Sequence, residues 1–578
     1  MKALLVSGAA LGVALVLCGQ APPADPVLQA LHDEVERSRK LTITGLEPPY
    51  FIQYVVDDED AFSVSASLGG VISRRRSRFR SPEVQLRVGD YKSDNTNFGG
   101  GRFGGSRYDL DGFPIDADYM AMRRHLWLET DSAYKGAVEA LSRKRASLRN
   151  ITENEQIDDF AHAEPLRRLG QLRPLLIDED AWTGRVRALS AVFTRFPEVK
   201  NSAVEFEASD GGYYVVNSEG TEVREPERVT FVRAQALAQA SDGSGVRDAV
   251  TIHALDAANM PAQAELERQM AALAENVTAL AHASKGEDYN GPVLFEGAAG
   301  AQIFAEVLGR NLAPVRRPAG GRGGGASAES ELEGRIGARV LPESFDVTDD
   351  PTVKDWRGHP LFGSYGVDRE GVEPKPLHLV EKGVLKSYLL TRQPVRGFEG
   401  SNGHGRLPGG SGAIASIGNL FVSSTEAVPA AELKKKLIEL IRARGKDYGI
   451  LVRKMDFPSS GSVEEVSRIL RAEQGGRPVS IPILAYKVFP DGREEMVRGL
   501  LFRGLNARSL RDILAAGDDA QPFDFMDSQA VFALIGASSF TSEACVVAPS
   551  ILIDDLELHP LQEETPKLPI VPAPELAR

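Results

Sequence analysis

The sequence predicts an α+β protein of two lobes: an N-terminal sheet-plus-helix region, then a larger, mixed, strand-rich C-terminal domain. Segments that alternate apolar and polar residues flank long segments of helical periodicity, the pattern of sheets with helices packed beside them. The 578 residues are too many for one ordinary core, and at roughly 150 residues per domain they suggest two to four domains. Hydrophobic residues make up 42% and charged residues 26%, which argues against wholesale disorder and against a polytopic membrane protein. A net charge of -14 argues against a nucleic-acid partner, because neutralising phosphates takes clustered Lys and Arg. The one basic run, "SRRRSRFR" (Ser73 to Arg80), abuts the alternating "PEVQLRVGDY" and reads as a solvated strand or turn ahead of an anion site.

Residues 1–21 read as a signal peptide, with Lys2, an apolar run from Ala3 to Leu17, and small residues at Gly19 and Ala21. The run is too short for a membrane anchor, so no span is expected once it is removed. Leu17 stands where a lipoprotein signal carries a small residue before Cys18, which ranks plain export, periplasmic or secreted, above lipid anchoring. Removal leaves Cys545 alone, so no intramolecular disulfide is expected. Cys545 runs into the apolar "VVAPSILI" and reads as a buried small hydrophobe.

A first domain is expected over 25–125. "DPVLQALHDEVERSRKL" has helical spacing, and "PYFIQYVVDD", "AFSVSASLGGVIS" and "PEVQLRVGDYKS" alternate as strands separated by Asp and Gly turn signals. The glycine cluster Asn97 to Ser106 lacks the strand-before, helix-after frame of a phosphate cradle and reads as a loop. A central domain follows over 126–288. It has a helix opening at Asp131 and a second in "EDAWTGRVRALSAVFTRF", then hairpins turned at Asp-Gly and Glu-Gly. A connecting helix, Pro261 to Ser284, closes it.

The C-terminal domain is expected over 289–562, with a Pro-rich tail over 563–578. "GPVLFE" is a strand and Ala298 to Leu312 a helix that buries Ile303, Val307 and Leu308. The Gly/Arg-rich segment 313–331 reads as a linker or a loop near the site. Further on come "PLHLVEKGVLKSYLLTR", the helix "AAELKKKLIELIRARG", and a hairpin turned on Pro490, Asp491 and Gly492.

These segments resemble the TldD/PmbA family of TldD-type metallopeptidases and TldE-type companions. The matching stretches are "GPVLFEGAAGAQIFAEVLGRNL", "SYGVDREGVEPKPLHLVEKGVLKSYLLTR" with Asp368 and Glu370, "SNGHGR" (Ser401 to Arg406), "VRGLLFRGLNARSLRDILAAGDD", and "LRVGDYKSDNTNF" in the first half. The resemblance implies an HExxxH motif on the helix after "GPV", where two imidazoles hold Zn²⁺ and the Glu activates the metal-bound water. Laid on this chain, the motif falls on Ala305, Glu306 and Arg310. A methyl donates nothing, and a guanidinium repels a cation. Glu306 is left as a vestigial general-base position, and with Arg310 four residues on it has the spacing of a helical ion pair.

The family's third ligand is a C-terminal Cys. Cys545 lacks the glycine-rich setting expected there, so the ligand role is not carried over. His404, Arg406 and Cys545 remain candidate cavity-lining residues. His359 and His378 have no partner at metal-binding spacing.

The expected protein is therefore a non-catalytic TldE-like subunit without metal or other cofactor. Its expected partner is a TldD-like catalytic chain or a second copy, and its expected ligand a peptide or unfolded polypeptide. The alternatives are an active metallopeptidase that recruits zinc ligands from elsewhere, and a peptide-binding envelope protein that acts alone.

Overall fold

The computed structural model describes residues 25–98, 113–149, 157–316, 318, 330–407, 412–462, 467, 479–528 and 541–561. The segment expected as a leader, most of the glycine cluster, most of 313–331 and the tail lie outside the described residues.

The N-terminal half is built on one six-stranded sheet. Its first two strands, Pro49–Ser67 and Gly70–Val88, are 19 residues each and form a hairpin closed by Leu68 and Gly69. Both turn residues have positive φ, 49° and 85°, the conformation whose twist suits a two-residue hairpin. The turn thus falls inside a segment expected to be a single strand. The acidic run at Asp57 to Asp60, expected as a turn, stays within the first strand. Alternation disposes of its charges: Asp58 and Asp60 face arginines of the "SRRRSRFR" strand, with Asp58–Arg80 and Asp60–Arg76 both at 2.6 Å. Asp57 and Glu59 point to the opposite face.

The strand Asn201–Asn217 pairs antiparallel with the first strand and with Glu222–Gln239, which in turn pairs with Gly245–Ala254. This one sheet joins the segments expected as separate domains on either side of residue 125. Glu219-Gly220 makes a turn as expected, but Asp210-Gly211 lies mid-strand. A Cβ on Gly211 would sit 2.2 Å from Asp58 O, so the glycine serves close strand approach and not a reversal.

Helices cover one face of this sheet. Phe62, Val64, Val204 and Phe206 pack against Glu179–Ala191 and Gln263–His282, with Trp182 stacked on Phe206 at 3.8 Å. Further along, Tyr54, Val56, Leu86 and Val88 pack against Pro26–Ser38 and Tyr119–Leu148. That last helix starts twelve residues before the expected Asp131, at a cap where the Asp118 side chain accepts from Ala121 N. Asp131 lies inside it and pairs with Lys135 one turn on.

The C-terminal half holds an eight-stranded sheet and a second sheet of six. Strand Tyr289–Phe295 lies inside the larger sheet, between Gly449–Met455 and Ile551–Pro560. The segment after it packs Ile303, Phe304, Val307 and Leu308 into a core shared with Phe345 and Val347 of the smaller sheet. The helix Ala430–Ala443 and the Pro490–Gly492 turn occur where the sequence places them. No helix among the described residues is long and apolar enough to cross a membrane.

Candidate functional site

Gly297, at φ 61°, turns the chain from strand Tyr289–Phe295 into the helical segment 298–312. The segment changes winding as it runs: α over Ala298–Ile303, a wider π turn over Phe304–Leu308, then a 3₁₀ turn over Gly309–Leu312. Gly309 N–H donates to Phe304 O, five residues back. At 3.6 residues per turn, positions 305 and 310 would lie about 140° apart. The wider turn brings them towards one face, the arrangement a pair of ligands five apart requires.

Neither position carries a ligand here. Ala305 is buried in the apolar core. Arg310 is largely buried, reaching Asp527 at 3.3 Å and lying over the Phe457 ring at 5.7 Å. Glu306 is buried too, and both of its carboxylate oxygens accept from Ser480 N, at 2.9 and 3.0 Å, while Ser480 Oγ donates at 2.8 Å. These residues do not fit zinc: the methyl has no lone pair, the guanidinium is cationic, and the carboxylate is taken up by Ser480. Among the described residues no group of three or more His, Cys, Asp or Glu is placed to hold a metal ion.

The same segment borders a cavity of about 750 Å³ through Ala298 and Gln302. Gln302 also pins the cavity wall, donating to Met455 O and Phe457 O at 3.1 and 2.7 Å and accepting from Met455 N at 2.8 Å. Sequence reasoning did not single it out; its signal was one amide in an otherwise apolar helical stripe.

Of the three candidate lining residues, Arg406 borders this cavity. It pairs with Glu543 at 3.0 Å and lies over Tyr365 at 3.9 Å. His404 and Cys545 sit away from the lining. His404 is completely buried, with Nε2 3.1 Å from Asp349 and Nδ1 3.0 Å from the Asn402 side chain. Cys545 packs with Leu361 and Val547, and burial, reinforced by the Asp524 carboxylate, pushes its thiol far above the usual range. A thiol so held is neither a ready nucleophile nor a ready metal ligand.

The opposite wall is the helix-free face of the N-terminal sheet, where alternation presents Asp57, Glu59, Glu205, Glu207 and Glu227. Asp57 is clamped by Arg369 at 2.7 and 2.8 Å, and Glu205 pairs with Arg233. Burial, then the charges of Asp57 and Glu543, pushes Glu59 up to about 7. Burial followed by neighbouring carboxylates also raises Glu207 and, further, Glu227. His253, enclosed in the same wall, is held neutral by burial, its pKa lowered to about 4.

Residues 286–468, which include the helical segment and the Asp368–Glu370 and His404 blocks, match the model of the PmbA/TldA metallopeptidase C-terminal domain. Over those residues the chain is similar to the TldD/PmbA family. A metalloprotease of Archaeoglobus fulgidus is 34% identical to this chain over 93 residues, and one of Methanocaldococcus jannaschii 35% over 95. Each match spans 16% of this chain and only 20% of the relative.

In fold the likeness to the family runs much further. The crystal structure of TldE from Thermococcus kodakarensis superposes with a TM-score of 0.54 over 92% of this chain and 99% of its own, at 14% identity. A Thermotoga maritima protein described as a candidate modulator of DNA gyrase gives 0.53 over 88% and 96%, at 15% identity. At such identities the likeness is one of architecture.

Proposed function

We propose that this chain is a non-catalytic, TldE-like subunit of a peptide-processing metallopeptidase complex, working beside a TldD-like chain that supplies the zinc-binding imidazoles. One observation carries the reading: the helical segment on which the resemblance places two ligands winds there as a π turn and has an alanine methyl and a paired arginine at those positions, while Glu306 is committed to Ser480. The architecture a metal site would need is kept, and the chemistry is replaced by groups that pack. The N-terminal leader adds the expectation that the complex works outside the cytoplasm.

Two measurements on the mature chain, purified without a histidine tag or chelator, test this. Mass-spectrometric metal analysis is expected to find no stoichiometric zinc, even after zinc is added back. Co-expression with a family member that carries HExxxH is expected to give a co-purifying complex that cleaves peptides, while this chain alone does not. Stoichiometric zinc on the chain alone, lost in Cys545→Ala or His404→Ala and accompanied by peptide hydrolysis, would overturn the proposal in favour of a ligand-recruiting enzyme.

A further inference from the structure

Asp248, on strand Gly245–Ala254, is completely buried and shares a face of its strand with Val246 and Val250. The helix Gln263–His282 packs on that strand and brings Asn276 to it, in one stripe with Leu273 and Leu280. A carboxylate and a primary amide are thus set into apolar stripes that pack together.

Lys454 reaches the same point from the C-terminal half. Register shifts on either side of it in strand Gly449–Met455 mark an irregularity of the kind that re-aims a side chain. Its Nζ donates to Asp248 Oδ1 at 2.5 Å and also to Ala249 O. Asn276 Nδ2 donates to Asp248 Oδ2 at 3.1 Å, and the Asn276 side chain makes no other hydrogen bond among the described residues. One buried carboxylate therefore holds a primary amine on one oxygen and a primary amide on the other.

These are the reactants of a transamidation together with its acid–base catalyst. Asp248 takes a proton from Nζ along their hydrogen bond and leaves a neutral amine, the nucleophilic form of lysine, beside the carboxamide. Attack of Nζ on Cγ of Asn276 forms a C–N bond. The bond from Cγ to Nδ2 breaks as Asp248 delivers its proton across the second hydrogen bond, and the nitrogen leaves as ammonia. The further proton that Nζ loses on becoming an amide passes through Asp248 to solvent. In sum, a lysine ammonium and an asparagine amide become a secondary amide, ammonia and a proton, with no change of oxidation state. Because a helix and two strands fix the three side chains, the orientation that such a reaction needs is built into the fold.

We propose that Lys454 and Asn276 become joined by an isopeptide bond, with Asp248 as the proton carrier. The bond ties the helix Gln263–His282 of the N-terminal half covalently to the strand Gly449–Met455 of the C-terminal half. It lies outside the emptied metal motif and requires neither a metal nor a partner chain, so it stands or falls apart from the companion-subunit proposal.

The test is peptide mass spectrometry on the full mature chain, denatured and cut with trypsin. Peptides 269–285 and 454–468 are expected as one branched species, lighter than their sum by one ammonia, about 17 Da. Fragmentation should place the branch at Asn276 and Lys454.

Lys454→Arg keeps a cation for Asp248 but has no amine to acylate. It is expected to release peptide 269–285 unlinked and to melt below the parent. Asp248→Asn, with both reacting side chains still present, is expected to leave them unlinked. Unlinked peptides in the parent, with Asn276 either unmodified or merely deamidated, would overturn the proposal. A branched species of undiminished yield in Asp248→Asn would overturn it too. The parent chain alone decides whether the bond exists, whatever the folding of the variants.

Discussion

At the scale of single residues, the emptied motif is a set of structural contacts with measurable worth. Glu306 receives two bonds from Ser480 N and one from Ser480 Oγ within the core. Glu306→Gln would turn an amide N–H₂ towards a backbone N–H that can only donate, so urea unfolding should show a loss of about 1–3 kcal/mol. A residual general base would instead reveal itself as lost hydrolysis at unchanged stability. Arg310 and Asp527 form a largely buried pair, and Asp527 also accepts from Ser416 Oγ at 2.7 Å. Arg310→Ala should cost about 3 kcal/mol, because it strands a buried carboxylate. The 3.3 Å separation puts that figure at the low end of the range for such pairs. The sequence identified these positions correctly but could not name Ser480 or Asp527 as partners, since each lies more than 170 residues away.

At the scale of elements, the segment 298–312 joins an ordinary α turn to a wider one, and its packing depends on small residues on the α part. Gly300 faces the chain at Pro549, where an added Cβ would stand 2.4 Å from the carbonyl oxygen. Alanine gains about 1 kcal/mol over glycine in helix propensity, while forcing a methyl against backbone costs about 1–3 kcal/mol. Because the obstacle is a carbonyl that a rotamer change cannot move, the steric term wins. Gly300→Ala should lower the thermal midpoint, and a rise would show that the 549–550 segment yields. Helical periodicity made this segment legible in the sequence. The widening at Phe304 was not, since apolar spacing does not distinguish an α turn from a π turn. The same limit explains the Asp57 to Asp60 and Asp210-Gly211 errors: acidic and glycine residues signal turns on average, yet here they serve a cavity face and a close strand approach.

For the whole molecule, the enclosed carboxyls impose a pH dependence whose sign follows from their shifts. Burial pushes Glu59 up to about 7 and Glu129 to about 8, and raises both Asp368 and Glu370, the latter further through the charge of Asp368. Unfolded, such groups titrate near 4, so between roughly pH 4.5 and 8 these carboxyls together hold more protons folded than unfolded, outweighing the single proton that His253, lowered to about 4, withholds below about pH 6.5. Stability should therefore fall as pH rises through this window. Urea midpoints measured from pH 5 to 8 should decline, and Glu59→Gln should flatten part of the slope; a rising midpoint would contradict the burial of these groups.

The sequence by itself determined the α+β class, the two-lobed order, the strands and helices with clean periodicity, the family resemblance, and the absence of imidazoles at 305 and 310. These are local properties, written in spacing and residue type. Tertiary structure alone decided that residues 49–88 and 201–254 share one sheet, that His404 and Cys545 are buried while Arg406 borders a cavity, and that Glu59 and Glu227 stand in register on either side of Gly211. Those relations come from strand pairing between residues about 150 apart in the chain, and pairing partners are chosen by the burial of whole faces, which no single segment of sequence encodes.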